Sequence, residues 1–565
     1  MIMNRKQSLA ATSTTAGLFV LLAAGYARAA EHYVAPDGSD SNRGTKDEPF
    51  ATLAKANSAA AAGDTIWVRG GTYTITTQLV LSRSGTSETS RTKIWAYPGE
   101  KPVLDASRYV TSNPAVDVPV VLVTGSWMHL RGLEIGNAKV GRSGDHSYSL
   151  LRTKGSSDNI FELLDLHHGF GSGLFIDKGN GGNLVLNCDS HDNYDQNGSQ
   201  GDGQNGDGFG VHYQTTGPST IIRGCRAWNN SDDGYDYISQ EVPVLTEGSF
   251  AMSNGRGSEG NGNGFKVGSS KTGIRHVVQN NVAWKNKAAG FYANHSSGGN
   301  TWLNNTAYKN GTQYNMLASP PDDSSQTIIL TGALAHKMRN NIGFPNKNSN
   351  MGGVDAAFNS WDLDITEASA AFESTSDAGC TGPREADGRI PSACAFMKLT
   401  AESGLIDEGT DVGLPFVGSA PDLGAYEFGA APTGGTGGGA AGGSGAASGG
   451  MGGTAAQGSG GDGSGGTVGT SGGTGAAGGA GQGGAPGVGG SPETGDADGE
   501  PAGRAGGAGT SEDESSAAGC ACAVASEDAT AGSGGFAFLA LASAFAARSR
   551  DRRTARREGC RQSRS

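Results

Sequence analysis

Between Asp158 and Met316 apolar and polar residues alternate in short runs, and helical spacing is absent. One phrase keeps returning: Cys188-Asp-Ser-His-Asp-Asn193, Cys225-Arg-Ala-Trp-Asn-Asn230, Ser249-Phe-Ala-Met-Ser-Asn254, Asn281-Val-Ala-Trp-Lys-Asn286 and Asn305-Thr-Ala-Tyr-Lys-Asn310. A degenerate copy runs from Leu164 to Gly169. The leading positions 164, 188, 225, 249, 281 and 305 are separated by 24, 37, 24, 32 and 24 residues. Period-two alternation predicts strands. A minimum step of 24 residues with insertions predicts a coiled β-solenoid whose insertions become loops.

The second half of each repeat is a glycine-aromatic run: Asp207-Gly-Phe-Gly-Val211, Asp233-Gly-Tyr-Asp-Tyr237, Asn263-Gly-Phe-Lys-Val267 and Ala289-Gly-Phe-Tyr-Ala293. Side chains alternate faces along a strand. Phe209, Tyr235, Phe265 and Phe291 are therefore expected to stack inward, with Val211, Tyr237, Val267 and Ala293 two places on. Gly210, Asp236, Lys266 and Tyr292 then point outward. Asn193, Asn230, Asn254, Asn286 and Asn310 are expected to form an internal ladder at a turn. The same register makes Cys188 and Cys225 stacked neighbours, as a buried thiol pair or as a disulfide. Cys380 and Cys394 flank a short polar loop and are expected to pair.

Composition divides the 565 residues into segments. Of 96 glycines, 36 fall between Ala431 and Thr510. Residues 430–519 are low-complexity Gly/Ala/Ser/Thr sequence, too poor in apolar surface to fold, and are expected to be a disordered tether. Collagen is excluded because no strict Gly-X-Y period appears, and a helical bundle is excluded by composition. Residues 1–30 read as a secretory signal, with Arg5 and Lys6 ahead of a short apolar stretch and a small-x-small site at Ala27-Arg28-Ala29. Export implies an oxidising, calcium-rich setting. Residues 520–565 carry Cys520 and Cys522, an apolar run from Gly534 to Ala547, and clustered arginines. That order resembles the C-terminal sorting tags of myxobacterial surface proteins, which implies membrane retention and display at the cell surface. The folded domain is expected over residues 31–429. Its opening, Tyr33 to Tyr73, resembles the capping start of extracellular parallel β-helix proteins.

The net charge of −13 combines basic ends with a more acidic remainder. Removing +3 at the start and +6 over Arg548 to Ser565 leaves −13 − 3 − 6 = −22. Such a chain has no general electrostatic affinity for nucleic acid. A polyanionic substrate would need local cations.

Acidic residues concentrate at one place in the repeat register. Asp207 and Asp233 occupy equivalent positions on successive coils, and adjacent strands lie about 4.8 Å apart. Asp232 precedes Asp233, and Asp236 follows on the outer face. Four carboxylates that close repel one another unless a cation holds them. An oxygen-only set suits Ca²⁺, and zinc is disfavoured because no His or Cys spacing accompanies it. Lys266 shares the outward column with Asp236. Beside a divalent cation its charged form is destabilised, which makes it a candidate general base. The competing readings are a surface salt bridge for Lys266 and an ordinary turn for Asp-Asp-Gly.

The segments Asp207-Gly-Phe-Gly, Asn230-Ser-Asp-Asp-Gly-Tyr-Asp236 and Gly262-Asn-Gly-Phe-Lys266 resemble polysaccharide lyase family nine, the pectate-lyase-like β-helix enzymes. Asn359-Ser-Trp361, Leu405 to Pro415 and Ala420 to Glu427 are similar to that family too, so the likeness spans residues 31–428. The resemblance implies an all-β, right-handed parallel β-helix with Ca²⁺ on Asp207, Asp232, Asp233 and Asp236 and with Lys266 as base. The insertion around Cys380 to Cys394 looks like a departure from the family and leaves that motif untouched. Arg256, Lys271 and Arg275, on insertions near Lys266, are candidates for uronate carboxylates. Phe175 and Tyr292 are candidates for sugar stacking, and His295 has no assigned role. The expected activity is β-elimination on a 4-linked uronan, foremost pectate, by a secreted or surface-displayed monomer. Rhamnogalacturonan or another uronan is the alternative substrate. A noncatalytic carbohydrate-binding surface protein is the alternative class.

Overall fold

The computed structural model describes residues 29–430 except 270, 322 and 366–368. The proposed signal, tether and tag fall almost wholly on residues outside that range. The described residues form a parallel β-helix of three sheets, with twelve, nine and ten strands. Each full coil sends one strand to each sheet; Thr220–Arg223, Arg226–Trp228 and Tyr235–Gln240 make one such turn. One seven-residue α-helix, Leu53–Ala59, lies in the N-terminal region expected to be the cap. Thr52 starts it, its hydroxyl accepting the Lys55 N–H at 3.1 Å. Phe50, Leu53, Ala56 and Ala60 join the core from this cap.

The inward and outward assignments hold through the repeat region. Phe209, Tyr235, Phe265, Phe291 and Tyr314 stack along the axis with ring centroids 5.2, 4.5, 5.0 and 5.0 Å apart. Val211, Tyr237, Val267 and Ala293 are fully buried beside them. The asparagine ladder also forms. Each Nδ2 donates to the next Oδ1, from Asn193 through Asn230, Asn254 and Asn286 to Asn310, at 2.9–3.0 Å. The same Oδ1 atoms accept backbone N–H groups at the turn, such as Asn230 N–H on Asn254 at 3.2 Å. A buried turn thus leaves no orphan donors.

A second ladder runs through the leading positions of the repeat: Cys188, Cys225, Ser249, Asn281, Asn305, Asn341 and Asn359. This settles the cysteine pair. Both are free, buried thiols, and the Cys188 N–H points at Cys225 Sγ, 3.4 Å away. Cys380 and Cys394 form the expected disulfide.

The glycine of each Gly-aromatic run answers to crowding. A Cβ on Gly234 would lie 2.7 Å from the Gly264 carbonyl oxygen and 2.9 Å from Asn254 Nδ2. Side chains are excluded there because the ladder and the next coil already fill the space.

Outside the coil, the ten-stranded sheet carries Trp228, Phe250, Met252, Trp284, Tyr308 and Phe344 on its outer face. The segment from Phe372 to Leu423 covers them, contributing Phe396, Met397, Leu399 and the disulfide. Arg226 and Arg384 fasten it: Arg226 donates to the Cys380 and Gly382 carbonyls, and Arg384 pairs with Asp189 at 2.7 Å. The insertion around the disulfide is therefore the cover of the ten-stranded sheet, whereas the acidic motif borders the nine-stranded one.

Candidate active site

Among the described residues, no such segment covers the nine-stranded sheet. Its outward column reads Arg152, Phe175, Gly210, Asp236, Lys266, Tyr292 and Asn315 on successive coils. The repeat register therefore places Lys266 between Asp236 and Tyr292.

Asp207 and Asp233 are neighbours as their equivalence requires: the Asp233 N–H donates to Asp207 Oδ1 at 3.2 Å. Asp232 joins them because the strand begins only at Tyr235. Asp232 and Asp233 sit in the bend before it, where strand alternation does not send neighbours to opposite faces. Carboxylate oxygens of Asp207, Asp232 and Asp233 all lie within 4.8 Å of one another. Asp236 stands apart from this trio, on the strand, and reaches Lys266.

Lys266 Nζ lies 3.0 Å from Asp233 Oδ2 and 3.4 Å from Asp236 Oδ2. His212 Nε2 approaches Asp236 from the other side at 3.6 Å. Asn263 fixes Asp233 by giving both its N–H (2.6 Å) and its Nδ2 (2.9 Å) to Oδ1. Asn261 N–H holds Asp232 Oδ1 at 2.5 Å, and Ser172 Oγ donates to Asp207 Oδ2 at 3.2 Å. Asp236 Oδ1 is buried without a hydrogen-bond partner, while Asp233 Oδ2 is buried against the Lys266 ammonium.

The electrostatics follow from this crowding. Burial, and then repulsion from Asp236 and Asp233, pushes the Asp207 carboxyl well above its ordinary range. Burial, then Asp233 and Asp207, does the same to Asp232. Burial also raises Asp233, against the pull of Lys266. Burial acts upward on Asp236 as well, but Lys266 and His212 outweigh it and hold that carboxyl low. Desolvation opposes the Lys266 charge, yet the four surrounding aspartates hold its ammonium well above the ordinary lysine range.

The donor set fits a hard divalent cation. It consists of oxygens alone, three of them clustered, with Asp236 Oδ1 buried and unpartnered on the adjoining strand. Counting Asp207, Asp232, Asp233, Asp236 and Lys266, the formal charge is −4 + 1 = −3. A divalent ion would bring it to −1, easing both the repulsion and the hold on the lysine proton.

The weaker candidates separate. Tyr292 is in register with Lys266, and burial raises its hydroxyl to about 12. Phe175 lies in the column, its ring packed edge-on against His212 at 4.6 Å. Arg256 instead meets Asp192 at 3.5 Å and Tyr194, Lys271 meets Glu241 at 2.5 Å, and Arg275 donates to the Ala333 and Ala335 carbonyls. Among the described residues, these three meet other partners than the acidic group. His295 hydrogen-bonds Ser319 at 2.7 Å. His212, Asn263 and Ser172 escape the sequence reading. For His212 a signal existed: it follows Gly210 by two places and shares its outward face.

Residues 32–341 match the family model described as Pel9A-like, right handed beta helix region. Pectate lyase L of Dickeya chrysanthemi is 34% identical over 411 residues, 70% of this chain and 90% of that protein. The crystal structure of pectate lyase Pel9A superposes with a TM-score of 0.60 at 31% identity, covering 71% of this chain and 97% of that one. A rhamnogalacturonan lyase structure follows with a TM-score of 0.57 at 29% identity, covering 66% of this chain and 96% of that one.

Proposed function

The chain belongs to the Pel9A-like right-handed β-helix family and is a polysaccharide lyase; from that premise we propose that it cleaves pectate by calcium-dependent β-elimination, with Lys266 as the base. The observation that carries the reading is Lys266 set between Asp233 and Asp236 at the edge of the buried acidic trio. A glycoside hydrolase needs two carboxyl groups in acid and base roles. Here the carboxylates are accounted for as ligands, and a hydrolytic reading leaves the lysine idle.

Asp207, Asp232 and Asp233 would hold the ion, with Asp236 alongside. Bound there, Ca²⁺ would neutralise the uronate carboxylate and stabilise enolate-like charge in the transition state. The chain's own residues do the rest. Lys266 stands where a uronate would lie on the outward column, and its neutral amine takes the C5 proton. The electron pair forms the C4–C5 double bond while the C4–O bond breaks. The leaving oxygen gains a proton, and no water is consumed. Asp236, kept ionised by Lys266 and His212, holds Nζ in place. Asn263 fixes Asp233. Tyr292, next to the lysine in the outward column, is placed to stack on a sugar.

The assay is release of unsaturated product from polygalacturonate, followed by ultraviolet absorbance. Activity should vanish with chelator and return with Ca²⁺. Chelator-insensitive release would sink the calcium requirement, and no release would sink the substrate. The rhamnogalacturonan lyase among the similar structures favours one second substrate, so rhamnogalacturonan belongs in the same assay. The proposal extends to export by the N-terminal signal and surface display, as a monomer, through the C-terminal tag. Cell fractionation with and without residues 520–565 tests that part.

A further inference from the structure

The outer face of the ten-stranded sheet holds a second cluster, on a different sheet from the lyase site. Three of the ten histidines fall there, at 167, 168 and 191. Glu134, Asp165 and Asp189 stack in one outward column, and Gly136, His167, His191 and Trp228 stack in the next. His167 Nε2 lies 3.2 Å from Glu134 Oε1, and His191 Nε2 lies 3.1 Å from Asp165 Oδ1. Atoms of Glu134, Asp165 and His167 all fall within 4.8 Å of one another.

We propose that Glu134, Asp165 and His167 form a second metal site, of mixed nitrogen–oxygen type, suited to Zn²⁺ or another late first-row divalent ion. Around a tetrahedral ion with bonds of ~2.0–2.1 Å, donor atoms lie about 3.3 Å apart. The His167–Glu134 spacing already meets that requirement. An imidazole in the set selects against Ca²⁺, which takes six or more oxygens, and in favour of zinc-like ions. The surroundings supply what such ligands need. Metal-binding imidazoles use their second nitrogen to fix ring orientation, and ligating carboxylates are themselves hydrogen-bonded. His167 Nδ1 meets His168 Nδ1 at 2.9 Å, and His191 holds Asp165. His191 is fixed in turn by Asp192 Oδ2 at 2.8 Å and by stacking on Trp228, with ring centroids 4.1 Å apart.

The place explains what an ion would do there. The next carboxylate in the column, Asp189, is bound by Arg226 and Arg384, where the C-terminal cover begins. The cover protects the later coils of this sheet. The proposed site would tie together the coils just before it, linking strands Glu134–Gly136 and Asp165–His167. The ion is structural, so catalysis should not depend on it.

The test is isothermal titration of Zn²⁺ into the full chain, free of any polyhistidine tag, with excess Ca²⁺ present to occupy the acidic trio. One saturable site is expected, with a rise in melting temperature on Zn²⁺ addition. His167→Ala should weaken binding by roughly tenfold or more and abolish the rise, while turnover on polygalacturonate stays unchanged. Glu134→Gln, nearly isosteric, repeats the measurement should His167→Ala fold poorly. Absence of saturable binding in the wild type, or equal binding by both variants, would overturn the proposal and leave a ladder of histidine–carboxylate ion pairs.

Discussion

The nine-stranded and ten-stranded sheets share one repeat and opposite fates. On the ten-stranded sheet, outward residues of successive coils include Trp228, Phe250, Met252, Trp284 and Tyr308, and the C-terminal segment seals them. On the nine-stranded sheet the corresponding column reads Phe175, Gly210, Asp236, Lys266 and Tyr292, with no such cover among the described residues. The inner faces hardly differ in kind, since both bury residues of one continuous core. The coil therefore supplies spacing, and the outward residue supplies chemistry. A 4.8 Å rung sets carboxylates and a lysine side by side as readily as it stacks tryptophans.

This contrast can be broken at either sheet. The largest effect is expected from Lys266→Arg. Arginine keeps the charge but holds its proton too tightly to serve as a base. Turnover should fall by orders of magnitude while melting temperature hardly moves, since only one outward residue changes. If Lys266 is the proposed base, the wild-type rate should climb with pH, because the neutral amine would be the working form. The raised Lys266 value fixes the sign on stability as well. The contribution of its ion pairs is complete below the ordinary lysine value and is lost as pH rises through the folded one. A flat rate profile across the alkaline range would count against a lysine base.

Trp284→Ala should do the reverse. It empties a fully buried site beneath the cover, beside Phe396 at 4.5 Å, and takes from Asp377 the indole N–H it accepts at 2.9 Å, leaving it Lys285 at 3.0 Å. About 3–5 kcal/mol of stability should be lost, measured by denaturant unfolding. Turnover per folded molecule should hold. If it fell in parallel, the two faces would not be independent.

A smaller effect should come from Asn254→Ala, between the two faces. It removes one ladder rung and leaves the Asn230 N–H without its acceptor. The expected cost is about 1–3 kcal/mol, read by the same unfolding.

The smallest concerns Asp232→Asn in chelated protein. Burial and like charges raise the Asp232 carboxyl, so its ionisation destabilises the cation-free fold. A raised folded value means stability is present below the ordinary carboxyl value and lost as pH rises through the folded one. The variant should thus gain on the wild type as pH rises, and Ca²⁺ should cancel that gain. A gap independent of pH would place the strain elsewhere.

Much of this was legible in the residues, for an identifiable reason. The Asn193–Asn310 ladder and the Phe209–Phe291 stack recur at fixed positions, so one register predicts all of them. Asp207 and Asp233 were legible on the same ground. The second ladder was hidden because its side chains change from Cys to Ser to Asn along the coil. Asp232 could be placed only by knowing that the strand starts after it. The cover was illegible: Arg384 and Asp189 lie 195 residues apart, and no periodicity links them. The roles assigned to Arg256, Lys271 and Arg275 rested on nearness in sequence, and each meets a partner on another segment: Asp192, Glu241 and the Ala333 and Ala335 carbonyls.

The central claim separates two jobs, held by adjacent residues that touch. Calcium titration and turnover should be measured together on Asp233→Ala and Lys266→Ala, each checked for folding by circular dichroism. Asp233→Ala should lose both calcium affinity and activity. Lys266→Ala should bind calcium at least as tightly as the wild type, since a cation has left the site, and should lose activity by orders of magnitude. Normal calcium binding by Asp233→Ala, or near-wild-type turnover by Lys266→Ala, would contradict the account.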